Sequence, residues 1–297
     1  MLQLPTATPP QVVAQAAAVD PAESLPVTVI SAHSGLDWRA KAAELWAFRE
    51  LFLTLAGRDL KVRYKQTALG VAWVVLQPLL TSGLLAVVFS RWRGTGNSAT
   101  DSLLFFLAAL VPWSAFAAAV QSAAGSLEAS SNLVSKVYFP RLVVPGAYVF
   151  ASCVDFGFAL IVLLVVTAAA GGLGLLPPLL MAVPLLLVVQ LAAALGLGSA
   201  LAALNAQYRD VKYVVPFALQ LGMLATVLIA PDAWPAEARW IWALNPMAGV
   251  VATYRSLACG QAMDGLLLAQ SSVSALFLLI GGVAWFSHRE RRLVDLL

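Results

Sequence analysis

RDLKVRYKQTALGVAWVVLQP, residues 58–78, is the stretch on which the fold turns. Arg58, Lys61, Arg63 and Lys65, with Arg49 upstream, run directly into an apolar helix marked by Gly70, Trp73 and then Gln77-Pro78. Cationic heads stay with water and anionic headgroups, an indole sits near the boundary, and the apolar run belongs in hydrocarbon. The segment reads as an interfacial basic collar turning into a membrane span. Two explanations of its charges stand side by side: contact with lipid headgroups, and plain anchoring of the topology.

The rest of the chain repeats that logic. Of 297 residues, 61% are hydrophobic and 11% charged, with a mean hydropathy of +0.84. A water-soluble domain carries about 25% charged residues. Apolar surface on this scale cannot be enclosed in one aqueous core, and lipid is its natural solvent. The formal charge of +3 lies beside the spans. It therefore faces anionic lipid or an acidic partner, and nucleic acid is not expected. Cys153 and Cys259 do not make a disulfide framework or a metal site. His33 and His288 stand at opposite ends, which leaves metal-centred and histidine-based catalysis little to work with. Neither a Walker motif, a dinucleotide fingerprint nor a nucleophile elbow occurs, so catalytic residues and a cofactor in this chain are not expected.

The expected architecture is an all-α integral membrane protein. Residues 1–36 lack Lys and Arg, show no periodicity, and read as a disordered cytoplasmic tail. In residues 45–63, Leu45, Phe48, Phe52 and Leu55 share one face, opposite Arg49, Glu50 and Thr54. That spacing predicts an amphipathic helix in the membrane surface, or one packed on other protein. Six apolar segments follow, at about 69–90, 103–123, 142–170, 178–204, 213–230 and 266–286, each near the roughly 20 residues a bilayer requires. Pro145-Gly146 is expected to break or tilt the third. With both termini in the cytoplasm, that side receives Arg39, Lys41, Arg49, the collar, Lys136, Arg141, Arg209, Lys212 and the last three arginines, or fourteen of the 18 Lys and Arg. The positive-inside rule favours this arrangement and makes 291–297 a second cytoplasmic tail.

Some polar residues stand out inside the spans. Asp155 is the one acid well inside a predicted span, with no cation at a matching depth in the linear sequence. It is either functional or a buried, hydrogen-bonded acid. Gln77, Gln190 and Gln220 either line a hydrated path or bond helix to helix. Two loops on the basic side also carry information. SLEASSNLVSKVYFPR, 126–141, is expected to form a short helix with an apolar knob drawn from Leu133, Val137, Tyr138 and Phe139. The other, 205–212, carries Tyr208-Arg209-Asp210. Exposed apolar groups there suggest docking onto another protein. On the opposite side, WPAEARWIWALNPMAGVVATYRSLACG, 234–260, holds Trp234, Trp240 and Trp242 and two runs too short to cross, which read as re-entrant or interfacial helices or as an external loop with a small apolar lid. Asn245-Pro246 is expected to start the second of these.

Taken together, these residues resemble the polysaccharide-export permeases, the membrane subunits of type-2 ABC exporters. The likeness rests on Gly57–Lys65, Leu69-Gly70, Trp73, Gln77-Pro78 and Phe89, then Asn132–Arg141, Tyr208-Arg209-Asp210, Asn245-Pro246 and Tyr254-Arg255, in that order across 45–290. The resemblance implies a homodimer of six-span subunits in the cytoplasmic (inner) membrane, with two copies of a separate nucleotide-binding ATPase that holds ATP and Mg. A lipid-linked polysaccharide is the implied substrate. It further implies that Asn132, Leu133, Lys136, Tyr138, Phe139 and Arg141 belong to the ATPase-coupling loop. Arg58, Lys61, Arg63 and Lys65 would meet lipid headgroups at the entrance. Trp234, Trp240, Trp242, Asn245, Pro246, Tyr254 and Arg255 would form an external gate. The alternatives are a type-2 exporter of small hydrophobic molecules or lipids, which the basic collar disfavours, and a membrane glycosyl- or acyltransferase, which would need grouped catalytic acids or histidines.

Overall fold

The computed structural model describes residues 46–65, 70, 72–90, 99–134, 136, 139–228, 242 and 244–293, together with Ala43. The N-terminal tail, Tyr138, Trp234, Trp240 and the last residues lie outside that set. Among the described residues the regular structure is helical throughout. Helix α1 is Arg49–Tyr64, α2 Ala72–Ser90, α3 Ala99–Ala129 and α4 the single turn Ser131–Val134. Then come α5 Val143–Gly171, α6 Leu176–Asn205, α7 Val211–Met223, α8 Ala248–Ala258 and α9 Gly265–Leu293. A π turn, Leu224–Leu228, prolongs α7.

Six of these are long and apolar enough to cross a bilayer: Ala72–Phe89, Thr100–Ala129, Val143–Gly171, Leu173–Asn205, Val211–Leu228 and Gly265–Glu290. Inside hydrocarbon a helix satisfies its own backbone, which is why the chain resolves into helices and short turns. Gly70 (φ 47°) turns the chain between α1 and α2 in a conformation few side chains tolerate. Pro145 breaks nothing. It falls in the first turn of α5, where the amide it lacks would have no intrahelical partner. Gly146 beside it leaves room for Phe52 of α1, whose ring would come within 3.3 Å of an added Cβ.

The arrangement is organised around α3, 72% of whose span is buried, against 17% for α2. Helices α5, α6, α2 and α8 pack on α3. Its run of alanines, with Leu107, Val111 and Val120 fully buried among them, lets neighbouring backbones approach. The closest approach joins α6 to α9. A Cβ on Gly282 would collide with the Gly196 carbonyl, and one on Gly196 with the Leu278 carbonyl. Gly198 of α6 meets the Ala123 side chain of α3 in the same way, at 2.6 Å. Without a hydrophobic drive in lipid, such close contact is what holds spans together. A second apolar cluster lies at the end of the bundle where α1 sits, built from Leu55 and Ala56 of α1, Leu127, Val134, Phe139, the start of α5 and Phe286.

Candidate functional site

Two polar assemblies occupy opposite ends of the bundle. At the basic end, the face of α1 that carries Phe48, Phe52 and Leu55 packs on α5, with the Phe52 and Phe150 rings 5.5 Å apart. This brings the collar arginines into the protein. Arg63 Nη1 lies 2.6 Å from Asp155 Oδ2, and its Nη2 donates to Ser122 Oγ of α3 at 3.0 Å. The same Nη2 is 2.5 Å from Asp59 Oδ2, one helical turn back. The adjacent Tyr64 hydroxyl donates to the other oxygen of Asp155. Arg58 Nη2 donates to Ser130 Oγ at 2.9 Å and to the Tyr148 hydroxyl at 3.3 Å, while much of its side chain stays exposed. A guanidinium suits this task because its fork reaches acceptors on several elements at once.

The cation that Asp155 needs therefore comes from α1, a helix outside the spans, which the linear comparison of depths overlooked. Arg63 faces carboxylates rather than lipid, whereas Lys61 and Lys65 stay exposed. Burial pushes the Asp59 carboxyl above the usual carboxylate range against the pull of Arg63. Burial and the Asp155 carboxylate push the Tyr64 phenol up, which keeps it a donor.

The loop after α3 differs from the expected knob. Phe139 is buried in the apolar cluster with Val134 and Leu142, because the chain doubles back there to start α5. Arg141 is also turned inward: its backbone amide donates to Glu290 Oε1 at 3.0 Å and its guanidinium to the Glu290 carbonyl. Leu133 is half-buried, and Asn132 and Lys136 are exposed. In the other loop Tyr208, Arg209, Asp210 and Lys212 are exposed. Asn205 is buried and donates to the Ala124 carbonyl at 3.2 Å.

At the opposite end α8 is no surface helix. Gly249, Val250, Thr253, Tyr254 and Arg255 are buried, and Gly249 sits so close to α9 that an added Cβ would lie 2.6 Å from the Leu267 carbonyl. The start of α8 is fixed by Asn245, whose Oδ1 accepts the Met247 amide at 3.0 Å, and by Ser271 Oγ, which accepts the Gly249 amide at 2.8 Å. Arg255 Nη2 donates to the Val227 carbonyl in the π turn at 2.7 Å, with its guanidinium 3.9 Å from the centre of the Phe105 ring. Trp242 is buried against Ala248 and Leu267. Of the glutamines, Gln190 is buried within the subunit, while Gln77 and Gln220 are exposed. Gln220 shares a stripe of α7 with exposed Tyr213 and Phe217.

A bundle of six spans with a basic helix at one end and a buried polar half-helix at the other fits a conduit. The family model for ABC-2 type transporters matches residues 50–258, and the chain belongs to that family. It is a multi-pass membrane protein, the permease component, and the family brings with it an ATPase partner. Among named relatives, two O-antigen export system permease proteins RfbA of Klebsiella pneumoniae are each 26% identical over 251 residues, covering 84% of this chain and 95% of theirs. The protein of that name from Myxococcus xanthus is 29% identical over 252 residues, covering 83% of this chain and 95% of its own.

Proposed function

We propose that this chain is the channel-forming subunit of an ATP-driven exporter that carries a lipid-linked polysaccharide across the cytoplasmic membrane. The reading is carried by similarity over 84% of the chain to proteins named O-antigen export permeases. Two copies enclose the path, both termini lie in the cytoplasm, and two copies of a separate subunit bind ATP and Mg and hydrolyse the nucleotide. The exposed apolar rows of α2 (Trp73, Leu80, Leu84) and α7 (Val214, Phe217, Leu221) support a second copy and lipid as their cover. Tyr213, Phe217 and Gln220 on one stripe offer two ring faces and an amide, a surface on which a hydrated sugar chain slides without tight binding.

On this reading the roles divide between exposed and buried residues. Lys61 and Lys65 are the headgroup contacts at the entrance. Arg58 and Arg63 hold α1 to the spans. Asn132 and Lys136, with Leu133 behind them, form the coupling face toward the ATPase, whereas Phe139 and Arg141 support that loop from inside. Helix α8, with Trp242, Asn245, Pro246, Tyr254 and Arg255, forms one side of the external gate. The test is reconstitution with the partner ATPase in vesicles holding lipid-linked polysaccharide. Translocation should require ATP hydrolysis. Transfer by this chain alone, without nucleotide, would sink the reading.

A further inference from the structure

The π turn Leu224–Leu228 at the end of the fifth span is held by the same short segment at two neighbouring residues. Asn245, ahead of α8, donates from Nδ2 to Thr226 Oγ1 at 2.7 Å, and Arg255, in the last turn of α8, donates to the Val227 carbonyl at 2.7 Å. Thr226 and Val227 are both buried, so water does not substitute for these bonds. A π turn is wider than an α turn, bonds its backbone less well, and persists where neighbours hold it. Helix α8 is itself anchored elsewhere: to α9 through Ser271, whose hydroxyl donates to the Asn245 carbonyl at 3.2 Å and accepts from Gly249, and to α3 through the Phe105 ring under the guanidinium. It is thus a fixed post, and the end of the fifth span is what it holds.

We infer that Arg255 is a positioning residue which, with Asn245, latches the π turn of the fifth span to α8 and so sets the closed state of the external mouth. The inference rests on the gate reading of α8. Opening then requires the Val227 carbonyl to leave the guanidinium, and the fifth span separates from α8 while α8 stays on α3 and α9. Glutamine at 255 keeps a donor but loses the charge, the fork and the stacking on Phe105. Loss of a hydrogen bond from a charged donor permits a roughly tenfold or greater rise in the unlatched population.

The experiment uses the complex with its ATPase in vesicles loaded with carboxyfluorescein. Arg255→Gln should raise dye release without nucleotide about tenfold, and Arg255→Lys should fall between it and the parent. Because Arg255→Gln could fail to fold, a second arm leaves Arg255 in place. Thr226→Cys and Asn245→Cys, in a chain with Cys153→Ala and Cys259→Ala, are bridged by a short bifunctional thiol reagent whose link is reducible. Bridging should stop export, reduction should restore it, and a bridged Arg255→Gln chain should no longer leak. A folded Arg255→Gln chain with parental dye retention, or a leak that bridging leaves unchanged, overturns the latch while the gate reading stands. Export that continues at full rate through the bridged complex removes the gate reading itself.

Discussion

Arg63→Ala tests whether the basic collar holds α1 to the spans or merely touches lipid. The substitution leaves Asp59 and Asp155 near each other, with Arg58 as the remaining cation that acts on Asp59. Exposed ion pairs contribute up to about 1 kcal/mol, and breaking a fully buried one costs about 3–5 kcal/mol. With Arg63 and Asp155 side chains 22% and 13% exposed, the expected cost falls between these limits, at about 2–3 kcal/mol. Asp155→Asn is milder, about 1 kcal/mol, because Arg63 keeps Asp59 and Ser122 and the amide oxygen still accepts from Tyr64. In the double variant the stranded carboxylate is gone, so its cost should fall below the sum of the singles by about 1.5 kcal/mol. At about 2–4 °C per kcal/mol for a chain of this size, Arg63→Ala should lower Tm in detergent by roughly 5–10 °C. The double variant should lie close to it. Lys61→Ala serves as the exposed control and should leave Tm in place. Additivity within about 0.5 kcal/mol would refute the coupling, and a Tm unchanged by Arg63→Ala would return that arginine to the lipid surface.

Asp59 predicts a pH dependence. Its carboxyl is raised in the fold, so its stabilising share is complete below the unfolded value near 3.9 and is lost as pH rises through the raised value. Asp59→Asn should therefore raise Tm at pH 7 relative to the parent and remove this group's loss of stability with rising pH; a lower Tm at pH 7 would contradict it. Phe139→Ala should destabilise the subunit by about 3–5 kcal/mol, as truncation of a buried ring does, before any effect on the ATPase. Parental Tm with uncoupled ATPase would make Phe139 a docking knob after all. Lys136→Glu should show the converse, weaker association with the ATPase in a pull-down at unchanged Tm. Gly282→Ala should cost about 1–3 kcal/mol or prevent expression, because its Cβ meets the Gly196 backbone. Gly57→Ala, with open space around it, should be neutral or stabilising by up to about 1 kcal/mol.

The six-span helical architecture was legible because hydrocarbon leaves the backbone one economical choice, and runs such as Leu103–Ala123 state their length openly. Proline content misled at Pro145, since only its place relative to the helix start decides whether it disrupts. The Arg63–Asp155 contact spans 92 positions and was hidden by comparing depths along the chain. A signal was nevertheless present. Asp59 and Arg63 share one face of α1, while Tyr148, Ser152 and Asp155 share one face of α5, and two polar stripes beside membrane seek each other. The latch at Arg255 had a weaker trace in the small residues Ala248-Gly249, which mark a helix meant to approach another backbone closely. Nothing in sequence periodicity announces the π turn itself. It depends on partners drawn from Asn245 and Arg255.

The glycine seam between α6 and α9 limits how this machine can move. Side chains that interdigitate can slip by changing rotamer, but two main chains pressed together have no such freedom and travel as one beam. We expect a working stroke to fall on the thinly covered first and fifth spans, where 17% and 22% of the residues are buried. A spin-label pair placed across α6 and α9 should hold one distance throughout turnover, while a pair across α7 and α3 should broaden.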